Sequence, residues 1–378
     1  MPQIFWVVGD KSGDLHSAKV IEKSTGFEHI GIGGPHMSEK GFRSLFPFER
    51  FNIMGFAEVL KHLPFIFSVE KKIKQIFATN PPDLVVLVDF PGLNFRIAEI
   101  AYKYHIRILY YIAPQFWAWR HDRIYQMKRF CDHIASIFPF EKELLDIHGI
   151  NSTYVGHPVI EEIEIQIDKL EFAKFYELDP DRKWIAFFPG SRLEEVKTLL
   201  PIYLEAIKRL KKSHPQYHFL ISKSRVISSD IYSSFCPDMA DIHFIDGYNY
   251  EMMKYSDFLL VKSGTTTVEA GLIGTPFAII YKTTPLSYYI AKKLIRVKYI
   301  GMPNIILNRP LIPELIQGDA TPEKIIDTIS CYIDSPDKYQ ELASELSLLK
   351  SHLGTSSASQ KTADIISNII VHGGDQLH

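Results

Sequence analysis

The chain has 378 residues, which at roughly 150 residues per domain excludes one small module and predicts two α/β-sized halves. Hydrophobic residues make up 46% and charged residues 23%, a balance too apolar for a disordered chain. With 42 basic against 44 acidic residues the formal net charge is −2, so there is no electrostatic case for a nucleic-acid partner, which calls for a strong basic excess.

The amino terminus lacks a basic n-region, and its apolar stretch, Ile4 to Val8, is strand-sized and ends near Asp10, which argues against a signal peptide. Small polar residues, Gly9-Asp-Lys-Ser-Gly-Asp14, then lead into a helix near Leu15. His29 to Ile32 reads as the next strand. Asp83 to Val88, with LVVLV inside the run Asp83 to Asp89, is the clearest buried strand, followed by a turn and a helical stretch from Phe95 to Tyr104. Arg107 to Ile112 and His133 to Phe138 continue the alternation, and Thr153 to Val155 closes a first half. Around Glu161 to Asp181 the chain becomes charged and loses strand character. A second half restarts with Trp184 to Phe188, His218 to Ser222, His243 to Ile245, Asp257 to Val261 and Phe277 to Tyr281. After Thr321-Pro-Glu the chain reads as helical to about Lys350, then comes a Ser/Thr-rich break and a last helix from about Ser359 to Ile370. Strands alternating with crossover helices predict parallel sheets. The expected domains are 1–165 and 166–350, both Rossmann-like and doubly wound around a cleft, with 351–378 a C-terminal helix packing on the first domain or on a partner chain. The cysteines Cys131, Cys236 and Cys331 are far apart and form no Cys-x-x-Cys pair, which disfavours a disulfide framework or zinc site and fits a reducing cytoplasm. No run approaches the roughly 20 apolar residues of a membrane span.

In open parallel sheets ligands bind beyond the carboxyl ends of the strands, so four turns carry the chemistry. Gly9 to Asp14 permits a tight turn and a helix cap, and as a bare pattern serves equally well as a cap alone. It is neither a Walker loop nor a dinucleotide fingerprint, and Gly31-Ile-Gly-Gly-Pro-His36 misses that fingerprint by its third glycine. Asp89, ending the apolar strand, is either a helix cap or a general base facing the cleft, the second being the better single reading. Pro189-Gly-Ser191-Arg192 offers backbone N–H groups, a hydroxyl and a guanidinium for a phosphate or diphosphate, against a plain cap with a solvent-facing arginine. Ser263-Gly264-Thr265 starts another helix, with Glu269 placed either to accept from ribose hydroxyls or to face solvent. A carboxylate in one half and two anion-type turns in the other predict a nucleotide-diphosphate-sugar donor and a separate acceptor.

Taken together the motifs resemble those of the lipid-A-disaccharide synthase family along nearly the whole chain. They are Gly9 to Asp14, Gly34-Pro-His-Met37, Ile53-Met-Gly-Phe-Ala-Glu-Val-Leu60, Pro114-Gln-Phe-Trp-Ala-Trp-Arg120, Phe138-Pro-Phe-Glu141, Val155-Gly-His157, Pro189 to Arg192, Ser263 to Glu269, Pro303-Asn304 and Pro313 to Gln317. The resemblance implies a GT-B fold and an inverting transfer of 2,3-diacylglucosamine from its UDP derivative to the 6-hydroxyl of 2,3-diacylglucosamine 1-phosphate. It implies Asp89 as the catalytic base, and Ser191, Arg192, Ser263, Gly264, Thr265, Glu269 and Asn304 at the UDP. Three positions depart from the pattern: Asp10 stands where the family usually has glutamate, Gly92 where some members have a second aspartate, and Lys262 where a small residue is common.

Acylated substrates give the 13% aromatic content a role. Ser12, Asp14 and Asn94 are expected near the acceptor, and Trp117, Trp119, Phe65 and Phe67 near acyl chains or a membrane surface, the bland alternative for 56–77 being a core helix with a basic solvent face. No cofactor or metal is implied, and a cytoplasmic protein resting on the inner face of the inner membrane is expected. The competing readings are another GT-B enzyme using a UDP-N-acetylglucosamine-type donor, or a non-catalytic UDP-sugar-binding protein.

Overall fold

The computed structural model describes residues 1–51, 56–235, 242–295, 297–354 and 357–371, with the backbone alone for 56–62. Most of the motif Ile53 to Leu60, and Cys236, therefore lie outside the described residues or side chains. The chain divides into two compact units. Unit one takes Met1–Pro158 and the C-terminal helix Ala358–Val371, and unit two is Val159–Gly354.

Unit one is built on β1 (Gln3–Val8), β2 (Glu28–Ile32), β3 (Arg43–Ser44), β4 (Leu84–Val88), β5 (Arg107–Tyr111), β6 (His133–Ser136) and β7 (Ser152–Tyr154), in the order β3-β2-β1-β4-β5-β6-β7 and parallel throughout. Every residue of β4 is buried, as an unbroken Leu/Val run demands when helices cover both faces. The chain order reverses between β1 and β4, where Val8 lies opposite Val88. The last helix returns to this unit: Ile365, Ile366 and Ile369 are buried, Lys23 donates to Ser357 and Ser359, and Arg107 donates to the carbonyl of Ile369.

Unit two repeats the plan with β8 (Lys183–Phe188), β9 (Tyr217–Lys223), β10 (Ile242–Asp246), β11 (Phe258–Lys262), β12 (Phe277–Tyr281) and β13 (Glu314–Ile316), all parallel in the order β10-β9-β8-β11-β12-β13. Its reversal falls between β8 and β11. The two face clusters of its core are filled by the Leu193–Ser213 and Pro322–Ile333 helices on one side and by Phe172, Met252, Met253 and Leu346 on the other. The strands β3 and β13, of two and three residues, extend the sheets beyond what hydrophobic runs alone predict. Two parallel sheets flanked by helices make a GT-B-like fold. Among the described residues no helix is long and apolar enough to cross a membrane.

Candidate active site

Each unit presents its motif turns at its own point of strand-order reversal, where an open parallel sheet leaves a crevice between diverging connections. In unit one the turn after β1 and the turn after β4 lie side by side. Asp10 is the N-cap of the Lys11–Lys23 helix, its Oδ1 accepting from the Gly13 N–H at 2.9 Å. That use suits the shorter side chain, so the departure from glutamate has a local reason. Ser12 is exposed in the same first turn.

Asp89 follows β4 in a left-handed conformation, φ 40°, as does Phe90 at 37°, and Ile112 after β5 has φ 58°. Aspartate tolerates this region, while the bulky Phe90 and the β-branched Ile112 are strained in it, and the three gather at the neighbouring ends of β4 and β5. The geometry is held from several sides. The Asp89 carbonyl accepts from Tyr110 Oη at 2.6 Å and Asn94 Nδ2 at 2.7 Å, and the Asp89 N–H donates to the Ile112 carbonyl at 3.2 Å. Gly9 leaves room for the Phe90 ring, whose nearest carbon would lie 2.3 Å from any added Cβ. Burial, then repulsion from Asp10, pushes the Asp89 carboxyl up to about 6, against the Phe90 N–H, Arg123 and His16, which favour its charged form.

Four residues expected near the acceptor or its acyl chains lie inside unit one in supporting places. Asp14 is buried and its carboxylate accepts from the N–H groups of Gly34, His36 and Met37, tying the first turn to the Gly34-Pro-His-Met37 motif. Asn94 is fully buried, its amide on the Val88 and Asp89 carbonyls. Trp117 is buried and donates to Glu141 Oε1 at 2.9 Å. Phe65 is buried against Phe51, with Arg50 over its ring. Trp119 and Phe67 are exposed, beneath Arg123 and Arg96 respectively.

Arg123, His16, Tyr110, Glu141 and His157 were not predicted as site residues. Arg123 and His16 act on the Asp89 charge. Burial drives the Glu141 carboxyl up to about 7 and holds His157 down at about 3, while the Phe138 ring packs on Phe140 and on His157. The Trp117, Phe138-Pro-Phe-Glu141 and Gly156-His157 motifs are thus one packed cluster. Their own sequence context signals only that they are aromatic or titratable residues next to strand ends.

In unit two the turns after β8 and β11 are adjacent, Val261 lying opposite Phe188. Ser191 and Arg192 are exposed, and Arg192 is the N-cap of the Leu193–Ser213 helix. Gly190 has φ 105°, and an added Cβ would stand 2.2 Å from Glu195 Oε2. Glu195 accepts from the Arg192 N–H at 3.3 Å, lies 4.0 Å from the Arg192 guanidinium and pairs with Lys262 Nζ at 2.7 Å. Lys262 therefore bridges the two turns, and two cations against one carboxylate leave this corner with one net positive charge. Ser263 donates to the Ile300 carbonyl at 3.0 Å, while Gly264, φ 155°, and Thr265 are exposed at the start of the Thr266–Ile273 helix. Glu269 is half-buried and hydrogen-bonded to the Tyr250 phenol, whose pKa burial and this carboxylate raise. Asn304 is fully buried: it bonds Ile312 N and O and Glu314, which also accepts from Ile300 N and Gly301 N. It shapes the turn at Gly301 from behind.

The chain is similar to known proteins in sequence and in fold. A family model described as lipid-A-disaccharide synthetase matches residues 4–369. Lipid-A-disaccharide synthase of Geobacter sulfurreducens is 35% identical over 369 residues, 96% of each chain. Among solved structures, UDP-GlcNAc 2-epimerase from Neisseria meningitidis bound to UDP-GlcNAc superposes with a TM-score of 0.66 at 16% identity, covering 97% of this chain and 100% of that one. The kitacinnamycin glycotransferase gives 0.66 at 13%, covering 98% and 100%. At such identities the structural likeness is one of fold.

Proposed function

This chain belongs to the lipid-A-disaccharide synthase family of glycosyltransferases, and from that premise we propose that it transfers 2,3-diacylglucosamine from its UDP derivative to the 6-hydroxyl of 2,3-diacylglucosamine 1-phosphate. The products are the β-1,6-linked disaccharide 1-phosphate and UDP. The observation that carries the reading is Asp89, a carboxyl at the β1/β4 reversal whose surroundings raise it to about 6. It is ionised at neutral pH, yet more basic than an exposed aspartate, which is what a general base needs.

In this reading the acceptor oxygen attacks the anomeric carbon as Asp89 takes its proton. The bond from that carbon to the β-phosphate oxygen breaks and its electron pair leaves with UDP, so a single displacement inverts the centre. Charge growing on the diphosphate is met by Arg192, Ser191 and the turn Ser263-Gly264-Thr265, donors aimed at where that charge develops. Glu269 accepts from the ribose hydroxyls, and Asn304 holds the Gly301 turn in place. On the acceptor side Ser12 lies at the accessible first turn, Asp14 and Asn94 fix the two turns, and Trp117 and Phe65 support the outer aromatics. Trp119 and Phe67 meet acyl chains.

The test is UDP release from acylated and unacylated UDP-glucosamine donors, each with and without the acylated acceptor. Release that requires both acyl-bearing substrates is expected and is abolished in Asp89→Asn. Turnover of an unacylated UDP-N-acetylglucosamine donor, or UDP binding without turnover of any donor, would replace this reading with the competing ones.

A further inference from the structure

The Pro285–Leu294 helix of unit two is the one α-helix with described side chains over its length that buries none of its hydrophobic residues while placing several of them outward. Its start is well made: Thr284 caps it by accepting from the Ser287 N–H, and Pro285 opens it. The inward side is small and half-buried, Tyr288 and Ala291. The outward side carries Leu286, Tyr289, Ile290 and Leu294, exposed by 70, 56, 49 and 52%. Their spacing of three, four and eight residues from Leu286 puts them on one face. Other helices of the unit orient the opposite way, the Leu193–Ser213 helix burying Val196, Leu199, Leu200, Tyr203 and Ile207. An apolar stripe turned to solvent on an ordered helix marks a contact surface.

The sequence around it gives the chemistry of the partner. Between Glu269 and Glu314 there are six basic residues, Lys282, Lys292, Lys293, Arg296, Lys298 and Arg309, and no acid, in a chain whose net charge is −2. Lys282 donates to the Ala320 carbonyl and Arg309 pairs with Glu345, so the cations that matter here are Lys292 and Lys293 at the helix end and Lys298 just beyond it. Glu314 itself is engaged with backbone N–H groups and Asn304. Lys292 and Lys293 close the helix, and Lys293 Nζ lies 4.4 Å from the centre of the Tyr289 ring. Long stems beside an apolar stripe with free ammonium ends suit an interface that is apolar below and anionic above. We infer that this helix docks unit two on an anionic lipid bilayer, Leu286, Tyr289, Ile290 and Leu294 entering the acyl boundary and the lysines meeting lipid phosphates. The inference does not depend on the reaction proposed above.

The experiment uses the full chain without sugar substrates, measuring flotation with vesicles of phosphatidylcholine alone and with added phosphatidylglycerol. Wild type is expected to partition onto the anionic vesicles and less onto the neutral ones. The double variant Leu286→Ser/Ile290→Ser loses about tenfold or more in partitioning on anionic vesicles, and Lys292→Gln/Lys293→Gln loses about tenfold or more there and little on neutral ones. Tyr289→Trp reports insertion directly by a blue shift of emission with anionic vesicles, and keeps the question open to test should the serine variant fail to fold. Unchanged partitioning of the serine variant, an unshifted emission at position 289, or loss only in Phe67→Ser of unit one overturns the inference. So does a concentration-dependent dimer that the serine variant dissociates while vesicle binding stays intact, because the face then belongs to a second copy of the chain.

Discussion

The two strand-order reversals share a topology and differ in chemistry. At β1/β4 a carboxyl sits among strained backbone and buried aromatic and imidazole groups, and its surroundings disfavour its charge. At β8/β11 Ser191, Arg192 and Thr265 are exposed and Lys262 and Ser263 half-buried, cations and hydroxyls around the half-buried Glu195 carboxylate. In the proposed reading the same fold makes a proton acceptor by removing water at one site and an anion receptor by leaving donors accessible at the other. The contrast shows that topology chooses the location and burial chooses the chemistry.

The sharpest way to break that contrast is Asp89→Asn, which keeps the hydrogen-bonding shape and removes the base. Turnover is expected to fall by roughly 10²- to 10⁴-fold, with UDP affinity measured by calorimetry unchanged. Retained turnover would remove the base from unit one. At the other reversal, Arg192→Ala is expected to weaken UDP binding by about tenfold to a hundredfold, the effect of losing a hydrogen bond to a charged group, while leaving the acid limb of the pH profile in place.

Asp89→Asn also changes stability, in the opposite direction. The folded protein keeps on Asp89 a proton that the unfolded chain releases between its ordinary value of 3.8 and about 6, so stability falls as pH rises through that window. Well above pH 6 the asparagine variant should be more stable by about 3 kcal/mol, and below pH 4 the difference should vanish. Denaturant unfolding at several pH values measures it. In the native enzyme kcat/KM should rise with pH to a plateau, half-maximal near 6, the value set for Asp89. The smallest expected effect is that of Asp10→Asn. It keeps a good helix cap but removes the repulsion on Asp89, so the acid limb should move to lower pH by about half a unit or less. A limb that stays put would separate the two carboxyls.

The parallel sheets were legible because their strands are dense apolar runs, LVVLV at β4 above all, set between helix-period segments. The strands Arg43–Ser44 and Glu314–Ile316 were not, since two or three residues carry no periodicity. The turns at both reversals were visible as glycine and hydroxyl clusters after strands, but not which of their side chains are buried. Asp14, Asn94, Trp117 and Asn304 look from sequence like ligand contacts because they lie in or beside those turns, and only the packing shows the Asp14 carboxylate and the Asn94 amide N–H on neighbouring backbone, Trp117 on Glu141, and Asn304 on Ile312 and Glu314. The Lys262 to Glu195 pair joins the end of β11 to the helix that follows β8, far away in sequence, and the groups that set Asp89 come from the Lys11–Lys23 helix and its cap, β5 and the Arg123–Phe130 helix. No local pattern reports such convergence.

The return of the Ala358–Val371 helix to unit one has a consequence for synthesis. Unit two is encoded without interruption, and its residues are all translated before that helix exists. The unit begun first is therefore completed last, and until then the surfaces of the Lys11–Lys23 helix, β4 and β5 that receive the helix stay open. A ribosome that stops short of residue 358 releases a chain whose second unit is whole and whose first unit, the one that holds the strained turn at Asp89, lacks part of its packing.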